Sequence, residues 1–212
     1  MRIIVLFFLM IILFFSIILH EIAHGLMAER KGDPTARIMG RITLNPIPHI
    51  DPVGTILLPG IMIVMNIFWG GVPIFGWAKP VPINPRNLNN PRKDMMWISI
   101  SGPATNFFIA VFLALLFRIF ASPGSLGGIV LFYGVSINLL LAFFNLIPIP
   151  PLDGSRILSG FLPERYSYRL LQLEPFGFII LVVLLIGGIF NYLFMALLKV
   201  AALLTGAPFF FW

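Results

Sequence analysis

Residues 7–32 read FFLMIILFFSIILHEIAHGLMAERKG. The stretch begins as an unbroken apolar run and then sets His20, Glu21 and His24 in it before its apolar character ends. At about 1.5 Å per helical residue, the segment 3–28 is long enough to cross a hydrocarbon core of about 30 Å. It therefore predicts a spanning helix that carries ionisable side chains into a region without water. Such groups are expensive there and mark a functional site by default. Arg2 and the apolar run after it imitate an export signal. However, no small-x-small cleavage site follows, and cleavage would discard the HEIAH stretch, so the helix is expected to be retained.

The rest of the chain agrees with that opening. Of 212 residues, 59% are hydrophobic and 10% charged, with a mean hydropathy of +1.00. A soluble domain of this length has no means of hiding so much apolar surface, so the class is a multi-pass membrane protein. The absence of cysteine excludes disulfides, thiolate zinc sites and a cysteine nucleophile together. The net charge of +6 would point to nucleic acid in a soluble protein. Here it fits basic loops gathered on one membrane face, with no nucleic-acid partner.

Further segments follow in order: an apolar stretch over 53–69 broken by Gly54, Pro59, Gly60 and Asn66, helices over 96–120 and 128–149, a partly polar interfacial helix over 155–173, and an apolar segment over 176–204. Gly187 and Gly188 are expected to bend or divide the last. Alternating apolar residues from Ile38 to Leu44 predict a short strand. The chain reads as one membrane-embedded unit over 1–212.

If His20 and Asp153 share a site, the helices ending at them run in the same direction, so an odd number of crossings separates them. The 96–120 helix supplies one, and the 53–69 segment is then re-entrant, as its Pro and Gly residues suit. That layout places Arg30, Lys31, Arg37, Arg41, Lys79, Arg86, Arg92, Lys93, Arg156, Arg165 and Arg169 on one side. Arg2, Arg118 and Lys199 fall on the other. By the positive-inside rule the N-terminus is extracytoplasmic and the site faces the cytoplasm of a cell-membrane protein.

His-Glu-x-x-His on a helix puts both imidazoles on one face, one turn apart, within reach of a single zinc ion. Glu21 is offset from that face and is placed as a general base toward zinc-activated water. A third ligand is needed. The carboxylates with suitable surroundings are Asp51 in NPIPHIDP and Asp153 in NLIPIPPLDG, and spacing alone does not separate them; depth in the membrane favours Asp153. Asn145, an amide late in an apolar helix, is a candidate for holding substrate or the developing oxyanion. His49, Asp51 and Asn106 are candidates for supporting or gating roles around the site.

HEIAH in a first spanning helix, SGPATN in a middle one and NLIPIPPLDG at the end of another closely resemble the site-2 protease family of intramembrane zinc metalloproteases. HIDPVGTILLP and FGWAKPVPINPRNL look like its compact prokaryotic members, without the PDZ or CBS domains of several relatives. The resemblance implies one zinc per chain bound by His20, His24 and Asp153, with Glu21 as general base and Asn145 near the substrate. It implies an all-α multi-pass fold with a core of three transmembrane helices around zinc. It also implies cleavage of transmembrane segments of other proteins, such as membrane-bound regulators. Beside it stand the re-entrant segment, a short β region on the cytoplasmic side and C-terminal helical additions. GWAKPVPIN has the alternation of an exposed strand, which would let an unwound substrate pair with it. The rival reading is a metal transporter or a non-catalytic metal-binding scaffold. Hardly any polar residues on the 96–120 and 176–204 segments count against a transport path, and retention of Glu21 counts against a scaffold.

Overall fold

The computed structural model describes residues 2–70 and 76–207; Phe75, which begins the FGWAKPVPINPRNL stretch, lies outside them. Helix α1 (Arg2–Arg30) is followed by the short α2 (Thr35–Ile38). After a π-helical turn over Pro52–Leu57 comes α3 (Leu58–Phe68), and then the long α4 (Pro91–Phe120) and α5 (Leu126–Asn145). The chain continues through α6 (Asp153–Phe161), α7 (Glu164–Leu171), α8 (Glu174–Ile186) and α9 (Ile189–Thr205). Three of these, α1, α4 and α5, are long and apolar enough to cross a membrane.

α1, α4 and α5 pack as an antiparallel bundle. From mid-bundle to its far end the core is apolar: Ala110, Ala114 and Phe117 of α4 meet Phe132, Val135 and Leu139 of α5 and Leu197, Ala201 and Ala202 of α9. Lipid tails are as apolar as leucine, so cohesion there comes from close packing, and the alanines let the backbones approach. α9 runs the bundle from Phe190, whose ring lies 5.2 Å from that of Phe144, to its own C-terminus. There Arg118 donates to the carbonyls of Leu203 (2.8 Å) and Leu204 (2.6 Å), two groups that a helix end leaves without donors.

The expected 155–173 helix is two helices with Pro163 between them, because proline has no N–H to continue a ladder. The expected 176–204 segment is likewise divided, with Gly188 at φ +73 between α8 and α9, a left-handed backbone that glycine adopts without strain. The 53–69 stretch is helical from Pro52 to Phe68, and the chain has returned by Trp77, whose N–H donates to the Gly54 carbonyl (3.1 Å).

The short strand expected from Ile38 to Leu44 does not form, and among the described residues there is no β-strand. The N–H groups of Ile38, Met39, Gly40 and Arg41 are taken by the carbonyls of Pro34, Thr35, Arg37 and Ala36, so the first half of the stretch has no donors left for a ladder. The GWAKPVPIN stretch is extended but equally unladdered. Lys79 N–H meets the His49 carbonyl (2.9 Å), while Pro80 and Pro82 have no N–H to offer.

Candidate metal centre

His20 and His24 lie one turn apart on α1, each 7% exposed. Each ring is fixed through Nδ1. His24 Nδ1–H donates to the Ile98 carbonyl (2.7 Å), and His20 Nδ1–H donates to Asn106 Oδ1 (2.6 Å). The orientation of Asn106 is itself dictated, because its Nδ2 donates to the Ser16 carbonyl (3.2 Å) and to Asn138 Oδ1 (3.1 Å). Asn138 Nδ2 in turn donates to the Gly134 carbonyl (3.0 Å). Carbonyls accept and never donate, so they fix both amides and with them the tautomer of both histidines.

With both imidazoles neutral, each Nε2 presents a lone pair, and the two atoms face each other at 3.0 Å. Asp153 completes the group, its Oδ2 lying 3.2 Å from His20 Nε2 and 3.3 Å from His24 Nε2. Three acceptors with no proton between them repel unless a cation joins them. For a tetrahedral zinc with bonds of about 2.0–2.1 Å, ligand atoms stand about 3.3 Å apart, so the triangle fits the ion.

Two glycines make the approach feasible. A Cβ on Gly102 of α4 would stand 2.5 Å from the His24 ring and 2.7 Å from that of His20. A Cβ on Gly154 would stand 2.2 Å from the Leu146 carbonyl oxygen, so the turn that returns Asp153 to the bundle needs glycine there. Pro103 brings no N–H to the helix, which leaves the Ser99 carbonyl without its helical donor beside the site.

Glu21 is outside the triangle but opens onto the same cavity, of about 160 Å³, which Asn145, Val81 and Arg156 also line. Its Oε2 accepts the Val81 N–H (2.8 Å). Asn145 reaches that cavity with its Nδ2 turned back to the Leu141 carbonyl (2.9 Å). Asn106 lies directly behind His20. His49 and Asp51 are elsewhere: His49 is fully buried, donating from Nε2 to the Thr43 carbonyl (2.9 Å), and lines a separate apolar cavity against α1. Asp51 caps the turn after it, accepting from the N–H groups of Val53 (3.0 Å) and Gly54 (2.7 Å). Asn138 escaped the sequence reading, although a lone amide within an apolar helix is the same signal that singled out Asn145.

A site of this kind, open to a cavity on one side and carried on membrane-length helices, defines a class: a metallopeptidase built into apolar helices. Comparison with known proteins narrows it. The family model described as peptidase family M50 matches residues 8–127 and 125–188, and the chain belongs to that family. The three motifs quoted above resemble this same family. A Bacillus subtilis (strain 168) protein named "Putative zinc metalloprotease YwhC" is 37% identical over 91% of this chain and 86% of its own length. Rip2 of Mycolicibacterium smegmatis, under the same designation, is 33% identical over 86% of this chain and 68% of its own. Zinc metalloprotease MJ0392 of Methanocaldococcus jannaschii is 30% identical over 76% of this chain but only 36% of its own. No solved structure matches at the same stringency. The chain is a zinc metalloprotease with apolar, membrane-length helices.

Proposed function

We propose that the protein is an intramembrane zinc endopeptidase that cuts transmembrane segments of other membrane proteins. The observation that carries the reading is the convergence of three ligand atoms, from His20, His24 and Asp153, beside Glu21 inside a bundle of membrane-length helices. Those three residues would hold the ion. When bound, zinc supplies a Lewis acid that brings the pKa of water to near neutrality. Glu21 accepts the proton from the attacking water and returns it to the leaving amine. The amide of Asn145 lines the same cavity and would hold the substrate backbone or its oxyanion.

A spanning substrate hides its peptide carbonyls in helical hydrogen bonds, so it must unwind before it is cut. The whole chain acts as one membrane-embedded unit, and Pro52–Phe68 with its return to Trp77 is the re-entrant element. Eleven basic residues on the side of the site against three on the other orient the site toward the cytoplasm, with the N-terminus outside. The reading is tested with purified protein carrying about one zinc and a synthetic single-span peptide with a Gly-Pro step at its centre. The wild type should cut it, and Glu21→Gln should lower the rate at least about a hundredfold with zinc retained. Cleavage unaffected by Glu21→Gln sinks the mechanism.

A further inference from the structure

Arg41 is a cation that the chemistry above does not use. It sits in the loop after α2, is only 6% exposed, and forms no ion pair within 4.0 Å among the described residues. Its Nη2 donates to the carbonyls of Lys79 (2.6 Å) and Pro80 (3.2 Å), and its Nε has no partner among the described residues. Burying a guanidinium with no carboxylate bonded to it is costly, and replacing it with an apolar side chain would remove that cost. Burial holds its pKa below the ordinary arginine value, and the charge of Glu21 offsets only part of that.

The carbonyls Arg41 holds are not arbitrary ones. Pro80 C=O and Val81 N–H belong to a single planar peptide unit, and in a trans unit they point in opposite directions. Arg41 donates to the oxygen of that unit (3.2 Å), and the unit's N–H donates to Glu21 Oε2 (N···O 2.8 Å). The plane therefore works as a rigid bar between guanidinium and carboxylate. A cation on the carbonyl end also polarises the unit and strengthens the N–H as a donor. The rest of the stretch is tied on both flanks. Trp77 and Lys79 donate to Gly54 and His49, and Asn84 N–H donates to Asp33 (2.6 Å).

We propose that Arg41 is a positioning residue for Glu21: through the Pro80–Val81 peptide it holds the carboxylate turned toward the metal ligands. The proposal rests on the reading of Glu21 as the base. It assigns a role to a residue outside HEIAH, SGPATN and PPLDG, and it explains why a charge is kept buried in a loop.

The test uses the full-length protein in detergent with Arg41→Ala and Arg41→Lys. In Arg41→Ala, kcat on the single-span peptide should fall about 10–100-fold, with KM within about twofold and zinc content unchanged. Arg41→Lys should recover part of kcat, since an ammonium donates to one carbonyl but cannot fork across two. Hydrogen exchange on the metal-free protein gives a reading independent of activity. A fragment covering residues 80–84 reports only the amides of Val81, Ile83 and Asn84, because 80 and 82 are prolines. Val81 should exchange faster in Arg41→Ala, matching Glu21→Ala. Wild-type kcat in Arg41→Ala, zinc lost along with activity, or unchanged Val81 exchange would each overturn the proposal. If Arg41→Ala does not purify, Arg41→Lys decides on the same criterion of reduced kcat with zinc and KM kept. Should the wild type itself fail to cut the peptide, the proteolytic reading falls alone, because Val81 exchange still reads the clamp.

Discussion

The two ends of the α1, α4 and α5 bundle are held together by different means. At the far end, Ala114, Phe117, Phe132 and Val135 interlock without a polar atom from their side chains. At the near end, Ser16, Asn106 and Asn138 form a hydrogen-bonded chain that ends on His20. Apolar packing specifies distance and tolerates rotation about a bond; a chain of donors and acceptors terminated by carbonyls specifies which nitrogen of an imidazole carries the proton. The far end makes the helices adjacent, and the near end makes them chemically usable.

The strongest way to break this contrast is to add volume at the near end. Gly102→Val puts a side chain where a Cβ alone meets both histidine rings, and stoichiometric zinc should be lost by elemental analysis even if the bundle still assembles. Removing volume at the far end should do the opposite. Phe132→Ala is expected to cost about 3 kcal/mol in unfolding measurements while zinc affinity stays unchanged. If zinc affinity fell as well, the two ends would not be separable.

Editing the amide chain sharpens the comparison at smaller amplitude. Asn106→Ala should weaken zinc binding about 10–100-fold by freeing the His20 ring, with melting affected less than in Phe132→Ala. Asn106→Asp keeps the acceptor for His20 but sets a carboxylate oxygen against the Ser16 carbonyl and Asn138 Oδ1, so it should recover only part of that affinity. The smallest effect concerns the loop scaffold outside the membrane. Burial raises the pKa of Asp33, but hydrogen bonds from Thr35, Asn87 and Asn84 outweigh it and hold the carboxyl below its ordinary 3.8. A lowered folded pKa means that the stabilisation is complete above 3.8 and disappears as the pH falls through the lower folded value. Asp33→Asn should therefore lower Tm slightly at pH 7, with the difference from wild type vanishing in strong acid.

Legibility in the sequence followed the strength of the local signal. HEIAH, SGPATN and PPLDG were readable because ionisable groups and Pro-Gly breaks stand out in apolar helices. The helical core and the division at Gly187 and Gly188 were readable for the same reason. The strand from Ile38 to Leu44 was misread because alternation over a few residues cannot show that turn carbonyls take the N–H groups first. Arg41 read only as one charge among eleven on a basic face, since nothing local distinguishes a buried arginine from a solvated one.

What the sequence determined by itself was the membrane class, the pair of candidate metal-ligating histidines one turn apart, and the candidate base beside them, because hydropathy and helical spacing are local properties. Asp51 and Asp153 were close rivals in residue chemistry, and the fold separates them. The turn at Leu146–Leu152, closed by Gly154, carries Asp153 back to 3.2 Å from His20, while Asp51 is spent on capping its own helix. Which ring nitrogens converge with Asp153, and what holds Glu21, depended on groups from Asn106, Ile98 and Val81, far away in the chain. Only packing brings such groups within hydrogen-bond reach.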